Sequence, residues 1–312
     1  MSANLKRGCG ILLGAAFIIL SILALLPEAD VDHDAGYISS ELNIQETVDG
    51  SVTGTSYVNS DGVITEAIDM GYATVCRMWD ENGRIIEERY LDANGDPVAR
   101  YDDYYGVSYE YDETSTVITY LDAEGNPIIR SDGYSTIIRT QIDSMASEDF
   151  YYDLNGQQVQ CSGGYYGLHH WYNSDGQNTG MTFLDKNGHA VCSPSGYAGV
   201  TYQYNMDGTV VGELYFDTEG NPVRASLGQY GELYQRNEQG YISQITFLDA
   251  DGNPAPTNAG YTILKRIYHR DGAIDTDRYF DAEGNPKALS KGQYGIKRSG
   301  KVTLLLDRNG NV

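Results

Sequence analysis

The chain of 312 residues predicts an all-β fold: an array of about seven 32-residue antiparallel β-hairpin repeats, a solenoid or an elongated sheet, preceded by one N-terminal transmembrane helix. Three observations lead there. An aromatic residue, a large apolar residue and Asp-x-x-Gly recur with the aspartate at Asp92, Asp122, Asp153, Asp185, Asp217, Asp249 and Asp281, and partially at Asp307. The intervals are 30, 31, 32, 32, 32, 32 and then 26 residues, and a fixed period in this range marks one supersecondary unit stacked many times. A second turn glycine stands 12 residues ahead of the motif glycine in several copies, as Gly83 does before Gly95 and Gly208 before Gly220. Between such glycines, Val200, Tyr202 and Tyr204 alternate with Thr201 and Gln203, which is strand periodicity. Composition agrees, because 27 tyrosines and 36 glycines suit strands and turns.

In chain order, three regions follow. Residues 1–27 form the anchor or signal segment, in which Lys6 and Arg7 precede an uncharged run over residues 8–26. Nineteen helical residues rise about 28 Å, close to the thickness of a bilayer's hydrocarbon core. Positive charge on the short side puts the N-terminus inside and the rest outside. The alternative is a cleaved signal peptide, although a cut after Ala29 would place Pro27 at a position that favours small residues. The expected location is therefore the cell membrane, single-pass with the repeats outside, or secretion after cleavage. Residues 28–70 read as an acidic linker and a degenerate first repeat, echoed at Tyr57-Val58-Asn59-Ser60-Asp61-Gly62. Residues 71–312 are the repeat domain.

Within it, Asp or Asn opens each tight turn and a glycine three residues on supplies positive φ, the chemistry of a type I turn with a glycine bulge. Asn205-Met206-Asp207-Gly208 turns one strand onto the next, and Asp217-Thr218-Glu219-Gly220 ends the pair. Proline follows where no backbone donor is needed, as at Pro222. Gly-Tyr then opens the next unit at Gly71, Gly133, Gly164, Gly196 and Gly260, with Gly228-Gln229-Tyr230 and Gly292-Gln293-Tyr294 in the same phase. Two copies decay, near Ser115 and from Ser144 to Glu148, and those hairpins are expected to be looser.

A net charge of −23 excludes nucleic acid as a partner, since phosphate binding rests on clustered Lys and Arg. It likewise excludes charge-driven adhesion to anionic lipid. Of four cysteines, Cys161 and Cys192 are one period apart, so neighbouring units could bring them together as a disulfide or as two buried thiols. The Asp-x-x-Gly turns do not space oxygens as a calcium loop does, since their glycine is fourth and no closing Glu follows at position twelve. His169 and His170 adjoin Trp171, but neighbouring residues on a strand face opposite sides and make a poor chelating pair. No metal site, cofactor or nucleophile elbow is expected, and the carboxylates repeat where a catalytic pair would be singular. The chain is expected not to be an enzyme.

The candidate ligand surface is an aromatic ladder two residues before each motif aspartate: Tyr90, Tyr120, Tyr151, Phe183, Tyr215, Phe247 and Tyr279. A second apolar row, Leu91, Leu121, Tyr152, Leu184, Phe216, Leu248 and Phe280, must face the other way. One row lines the core. The other packs on a further layer or stands exposed, and an exposed aromatic row suits stacking on sugar rings or docking of a protein.

Tyr109-Glu110-Tyr111-Asp112 and Tyr202-Gln203-Tyr204-Asn205-Met206-Asp207-Gly208, with Trp79-Asp80-Glu81-Asn82-Gly83-Arg84-Ile85, resemble the tyrosine-aspartate repeats of bacterial Rhs-type surface proteins. Tyr215-Phe216-Asp217-Thr218-Glu219-Gly220 and Tyr279-Phe280-Asp281-Ala282-Glu283-Gly284 are similar to Gram-positive cell-wall-binding repeats. The resemblance spans residues 71–312 and implies a secreted or surface β-hairpin array that binds a cell-surface glycan or protein. Its unit of 32 residues is longer than that of either family, and the paired tryptophans of choline pockets are missing, so choline binding is not implied. A purely structural surface spacer is the alternative.

Overall fold

The computed structural model describes residues 39–100, 104–269, 272–300 and 302–312. The anchor expected at 8–26 lies outside the described residues, and among those described no helix is long and apolar enough to cross a membrane.

After a 3-10 turn at Ser39–Glu41 come β1 (Asn43–Asp49), β2 (Val52–Val58), β3 (Thr74–Trp79), β4 (Ile85–Leu91), β5 (Gly106–Tyr111), β6 (Ser115–Leu121), β7 (Thr136–Asp143), β8 (Ala146–Tyr152) and β9 (Gly167–Tyr172). The second half runs through β10 (Asn178–Leu184), β11 (Gly199–Tyr204), β12 (Val210–Phe216), β13 (Gly231–Arg236), β14 (Ile242–Leu248), β15 (Ile263–Tyr268), β16 (Ile274–Phe280), β17 (Gly295–Ser299) and β18 (Val302–Leu306). Every strand pairs antiparallel with the next one in the chain, from β1 with β2 to β17 with β18. The result is one open, meandering antiparallel sheet, the all-β hairpin architecture that the turn spacing predicts.

The turns close as their residue types require. Asp217 Oδ1 accepts the backbone N–H groups of Glu219 and Asn221, each at 2.9 Å, and Gly220 sits at φ 83°. Such a side-chain cap satisfies donors that the turn leaves open. Beyond it the chain doubles back: Pro222 bridges Phe216, and Val223 N–H donates to the Tyr215 carbonyl at 3.1 Å. Proline is tolerated there because the strip has no neighbour beyond it that needs a donor. Each strip lays one side chain over the sheet, and Ile128, Val159, Val191 and Val223 all pack against the core.

The two hairpins with decayed turns are not looser. β5 and β6 pair without interruption from Gly106–Leu121 to Tyr111–Thr116, and β7 and β8 pair from Thr136–Tyr152 to Asp143–Ala146 with one shift beside the turn. Loss of the glycine goes with a shorter turn: the hairpins with a full Asx turn carry a bulge, as between Gln203 and Tyr204, which β5–β6 lacks. The shortened loop removes the bulge residue and leaves the ladder intact.

The core is a chain of aromatic rings. Tyr72, Tyr90, Tyr104, Tyr120, Tyr134, Tyr151, Tyr165, Phe183, Tyr197 and Tyr215 follow one another with centroid separations of 4.4 to 6.0 Å. Members alternate between the strand ladder and the tyrosines that open each unit. Opposite the ladder across each hairpin stand Val75, Val107, Ile137, Leu168 and Val200. Phe247, Tyr261 and Tyr279 resume the chain farther on, as a separate core block with Leu264. Between the blocks Gln229 takes the tyrosine position and Glu232 the aliphatic one, facing Phe247.

Candidate functional site

The aromatic ladder is core and not a ligand surface. Tyr90, Tyr120, Tyr151, Phe183, Tyr215, Phe247 and Tyr279 are all only 2 to 9% exposed, so none presents a ring to a sugar or a partner. The physical reason is the return strip, which roofs this face. Arg130 adds to the roof, its guanidinium 4.5 Å from the centre of the Tyr120 ring and 5.2 and 5.6 Å from those of Tyr104 and Tyr134. Burial pushes the hydroxyl of Tyr120 above the ordinary tyrosine value, and those of Tyr134, Tyr151 and Tyr215 well above it. The second row is covered in part: Leu121, Leu184, Leu248 and Phe280 are buried and each bridges its own returning strip, while Leu91, Tyr152 and Phe216 are half-buried.

One step along the strands from the ladder lies a row of charge that the repeat pattern hides. The residue two before the ladder aromatic alternates between acid and apolar: Glu88, Ile118, Asp149, Met181, Glu213, Ile245 and Asp277. The residue after each opening Tyr or Gln alternates too, small at Ala73, Ser135, Ala198 and Thr262 and tyrosine at Tyr105, Tyr166, Tyr230 and Tyr294. Two hairpins, 61 to 64 residues, are therefore the true period.

Three of the four acids are held by cations or by a cation and a tyrosine. Arg77 Nε donates to Glu88 at 2.7 Å and the Tyr109 hydroxyl donates at 3.1 Å. Arg139 makes a two-pronged contact with Asp149, both bonds 2.7 Å, and His170 Nε2 lies 3.2 Å away. Asn178 Nδ2 approaches His170 Nδ1 at 3.1 Å, so both ring nitrogens have polar neighbours. Burial alone would raise the Asp149 carboxyl, but Arg139 and His170 outweigh it and hold it at about 2. Arg266 and Arg298 close on Asp277 at 2.7 and 3.1 Å.

The fourth acid has no such partner. Tyr202 stands opposite Glu213 where the sister hairpins have arginine, and the residue facing Glu213 from β13 is Glu232. The equivalent partners of Glu88, Asp149 and Asp277 are Val107, Leu168 and Ile296. Tyr215 donates to Glu213 at 2.5 Å, and Glu232 accepts from Gln229 Nε2 at 3.0 Å and Tyr234 at 3.3 Å. Burial raises both carboxyls, and the Glu213 charge adds to the effect on Glu232, which is pushed up to about 7.

The opposite face of the sheet carries the open features. One cleft of about 310 Å³ is lined by Thr119, Pro127, Ser135, Thr136, Tyr152 and Leu154, among others. A second of about 160 Å³ is lined by Leu214, Pro222, Tyr230 and Ala250, among others. Position by position these coincide: Thr119 with Leu214, Pro127 with Pro222, Ser135 with Tyr230 and Leu154 with Ala250 occupy the same places in their units. Comparison with known proteins adds little. The chain matches no protein-family model and no curated protein. A porin-like protein from Bacteroides uniformis overlaps 76% of this chain and 92% of its own, with 11% identity and a TM-score of 0.19. At that level the likeness carries no conclusion about this chain.

His169 and His170 do part to opposite faces: His170 is buried beside Asp149, while His169 Nδ1 meets Glu148 at 3.0 Å and its ring lies tilted, centroids 4.1 Å apart, against the half-exposed Trp171. Cys161 and Cys192 are free thiols, the first buried and the second exposed. Among the described residues no group of three His, Cys, Asp or Glu is placed to hold a metal ion. In the turns, the carboxylates of Asp92, Asp122, Asp185, Asp217 and Asp281 fall below the usual value because the backbone N–H four residues on donates to them. They are turn caps.

Proposed function

We propose that the chain is a membrane-anchored, outward-facing, non-catalytic binding protein whose array of 32-residue hairpin units holds a cell-surface glycan along the face opposite the tyrosine ladder. The observation that carries this reading is the recurrence of one cleft at equivalent positions of two units, with Thr119, Thr136 and Tyr152 supplying hydroxyls and Pro127 an apolar wall in the first. Shallow sites that recur along a rigid scaffold suit a polymer of repeating chemistry, because weak single contacts add through effective concentration. Acidic surface charge favours a neutral or cationic polymer. A protein partner is the second reading, supported by Ile142 and Met145 at the tip of the β7–β8 hairpin next to Trp171, all about half exposed.

The test is retention of the full-length chain, in detergent micelles, on insoluble cell-wall polysaccharide. Leu154→Arg and Ala250→Arg fill the two clefts from exposed positions, and each is expected to weaken retention, the pair more than either alone. Retention unchanged in the double variant removes the clefts from the account. If wild type retains neither polysaccharide nor surface protein, the array is a spacer.

A further inference from the structure

We propose that Glu232, set face to face with Glu213, keeps a proton and thereby forms a pH-controlled joint that fastens the two core blocks below neutrality and loosens them above it. Three observations converge on the pair. Its register is direct: Glu213 of β12 is opposite Glu232 of β13, where sister hairpins set one acid against an aliphatic side chain. Its surroundings lack a counter-charge. Facing it are Tyr202 from β11, Tyr215 from β12, Tyr234 from β13, Gln229 from the preceding loop, and Ile245 and Phe247 from β14, with Tyr261 beyond Glu232. Farther along, Arg266 and Arg298 are committed to Asp277, and Arg236 at the end of β13 donates to the Gly240 and Val210 carbonyls. Finally, Gln229 is only 5% exposed and its Oε1 accepts no hydrogen bond, while its Nε2 touches Glu232.

A proton on Glu232 resolves all three. It removes one of two like charges that low-dielectric surroundings would otherwise hold in opposition. It also supplies a donor, because rotation of the Gln229 amide by 180° turns its idle oxygen toward the protonated carboxyl. The same segment is where the ring chain stops, since Gln229 stands in place of a tyrosine between Tyr215 and Phe247. Cohesion across this joint therefore rests on polar contacts of the pair, and their charge state governs it.

The sign follows from the direction in which burial moves the carboxyl. A carboxyl raised in the folded chain keeps its proton at a pH where the open chain has already lost it. Closure is therefore favoured in acid, weakens as pH rises above about 4.5, and reaches its weakest value above about 7, where folded Glu232 also ionises. Between those limits each tenfold fall in proton concentration favours opening about tenfold, so opening rises on the order of 10²-fold between pH 5 and pH 8.

Hydrogen exchange of the full-length chain, read by mass spectrometry at pH 5, 6, 7 and 8 and corrected for intrinsic rates, tests this. Peptides covering β12 to β14 are expected to lose protection by up to about that factor, while β5 to β10 hold theirs. Glu232→Gln keeps the shape without the charge and is expected to shrink the difference to the smaller part that Glu213 alone contributes. Glu232→Val, which copies Val200 of the preceding hairpin, is a second variant whose protection stays high at every pH. Protection in β12–β14 that ignores pH, or a pH dependence as large in Glu232→Gln as in wild type, overturns the proposal. So does protection at pH 8 restored by sodium, potassium or calcium at constant ionic strength, which would make the pair a cation site.

Discussion

The block from Val107 to Ala225 and the joint between Tyr215 and Phe247 are built on the same strands and turns, yet they are held by different forces. In the block, ring follows ring, and the buried Asp149 is paired with Arg139 and contacted by His170. In the joint, two substitutions in a single unit, Gln229 for tyrosine and Glu232 for an aliphatic residue, break the ring chain and bring in a second acid without a cation. A repeat protein is stabilised by nearest-neighbour interfaces, so one altered unit changes the coupling of the whole array at that point. The backbone can therefore be uniform while cohesion is not.

The largest effect is expected from the middle of the ring chain. Tyr151→Ala, which empties a site buried between Tyr134 and Tyr165, should cost about 3–5 kcal/mol by denaturant unfolding. Gln229→Ala in the joint should cost far less, and equal costs would erase the distinction. Next comes Arg139→Met, which leaves Asp149 with His170 alone and should cost about 3 kcal/mol. Wild-type unfolding also carries the opposite pH signature here. The Asp149 carboxyl is depressed to about 2, so its contribution is complete above about pH 4 and lost as pH falls through 2, about 2 kcal/mol in all. Acid should thus weaken the block, whereas alkali weakens the joint, and following each region separately during a titration checks both limbs.

Smaller still is Gly167→Ala, where a Cβ would come 2.2 Å from the Asp149 carbonyl oxygen and force the neighbouring hairpins apart, at about 1–3 kcal/mol. The smallest stability change belongs to Leu154→Arg, within about 0.5 kcal/mol because the side chain is exposed. A larger loss of stability there would mean that the clefted face packs against something.

Hairpins and turns were legible because turn chemistry is local: Asp217, Gly220 and Pro222 each state their backbone requirement within six residues. Burial of the ladder was not, because strands apolar on both faces do not say which face is roofed. The roof was nonetheless written six residues after the first five motif aspartates, in Val98, Ile128, Val159, Val191 and Val223. The acid row escaped for a different reason. A period of one hairpin averages Glu88 with Ile118 and Asp149 with Met181, and only a two-hairpin period separates them. Glu232 becomes visible once it is aligned with Val107, Ile137, Leu168, Val200 and Leu264.

Calorimetry at pH 8 of the full-length wild type beside Gln229→Tyr/Glu232→Val, the double variant that writes the regular unit back into the joint, tests this account most directly. Wild type should unfold in two resolved transitions, one for each side of the joint, and the double variant should merge them into one at higher temperature. A single wild-type transition that superimposes on that of the double variant would contradict the claim that the array is two core blocks meeting at a charged joint.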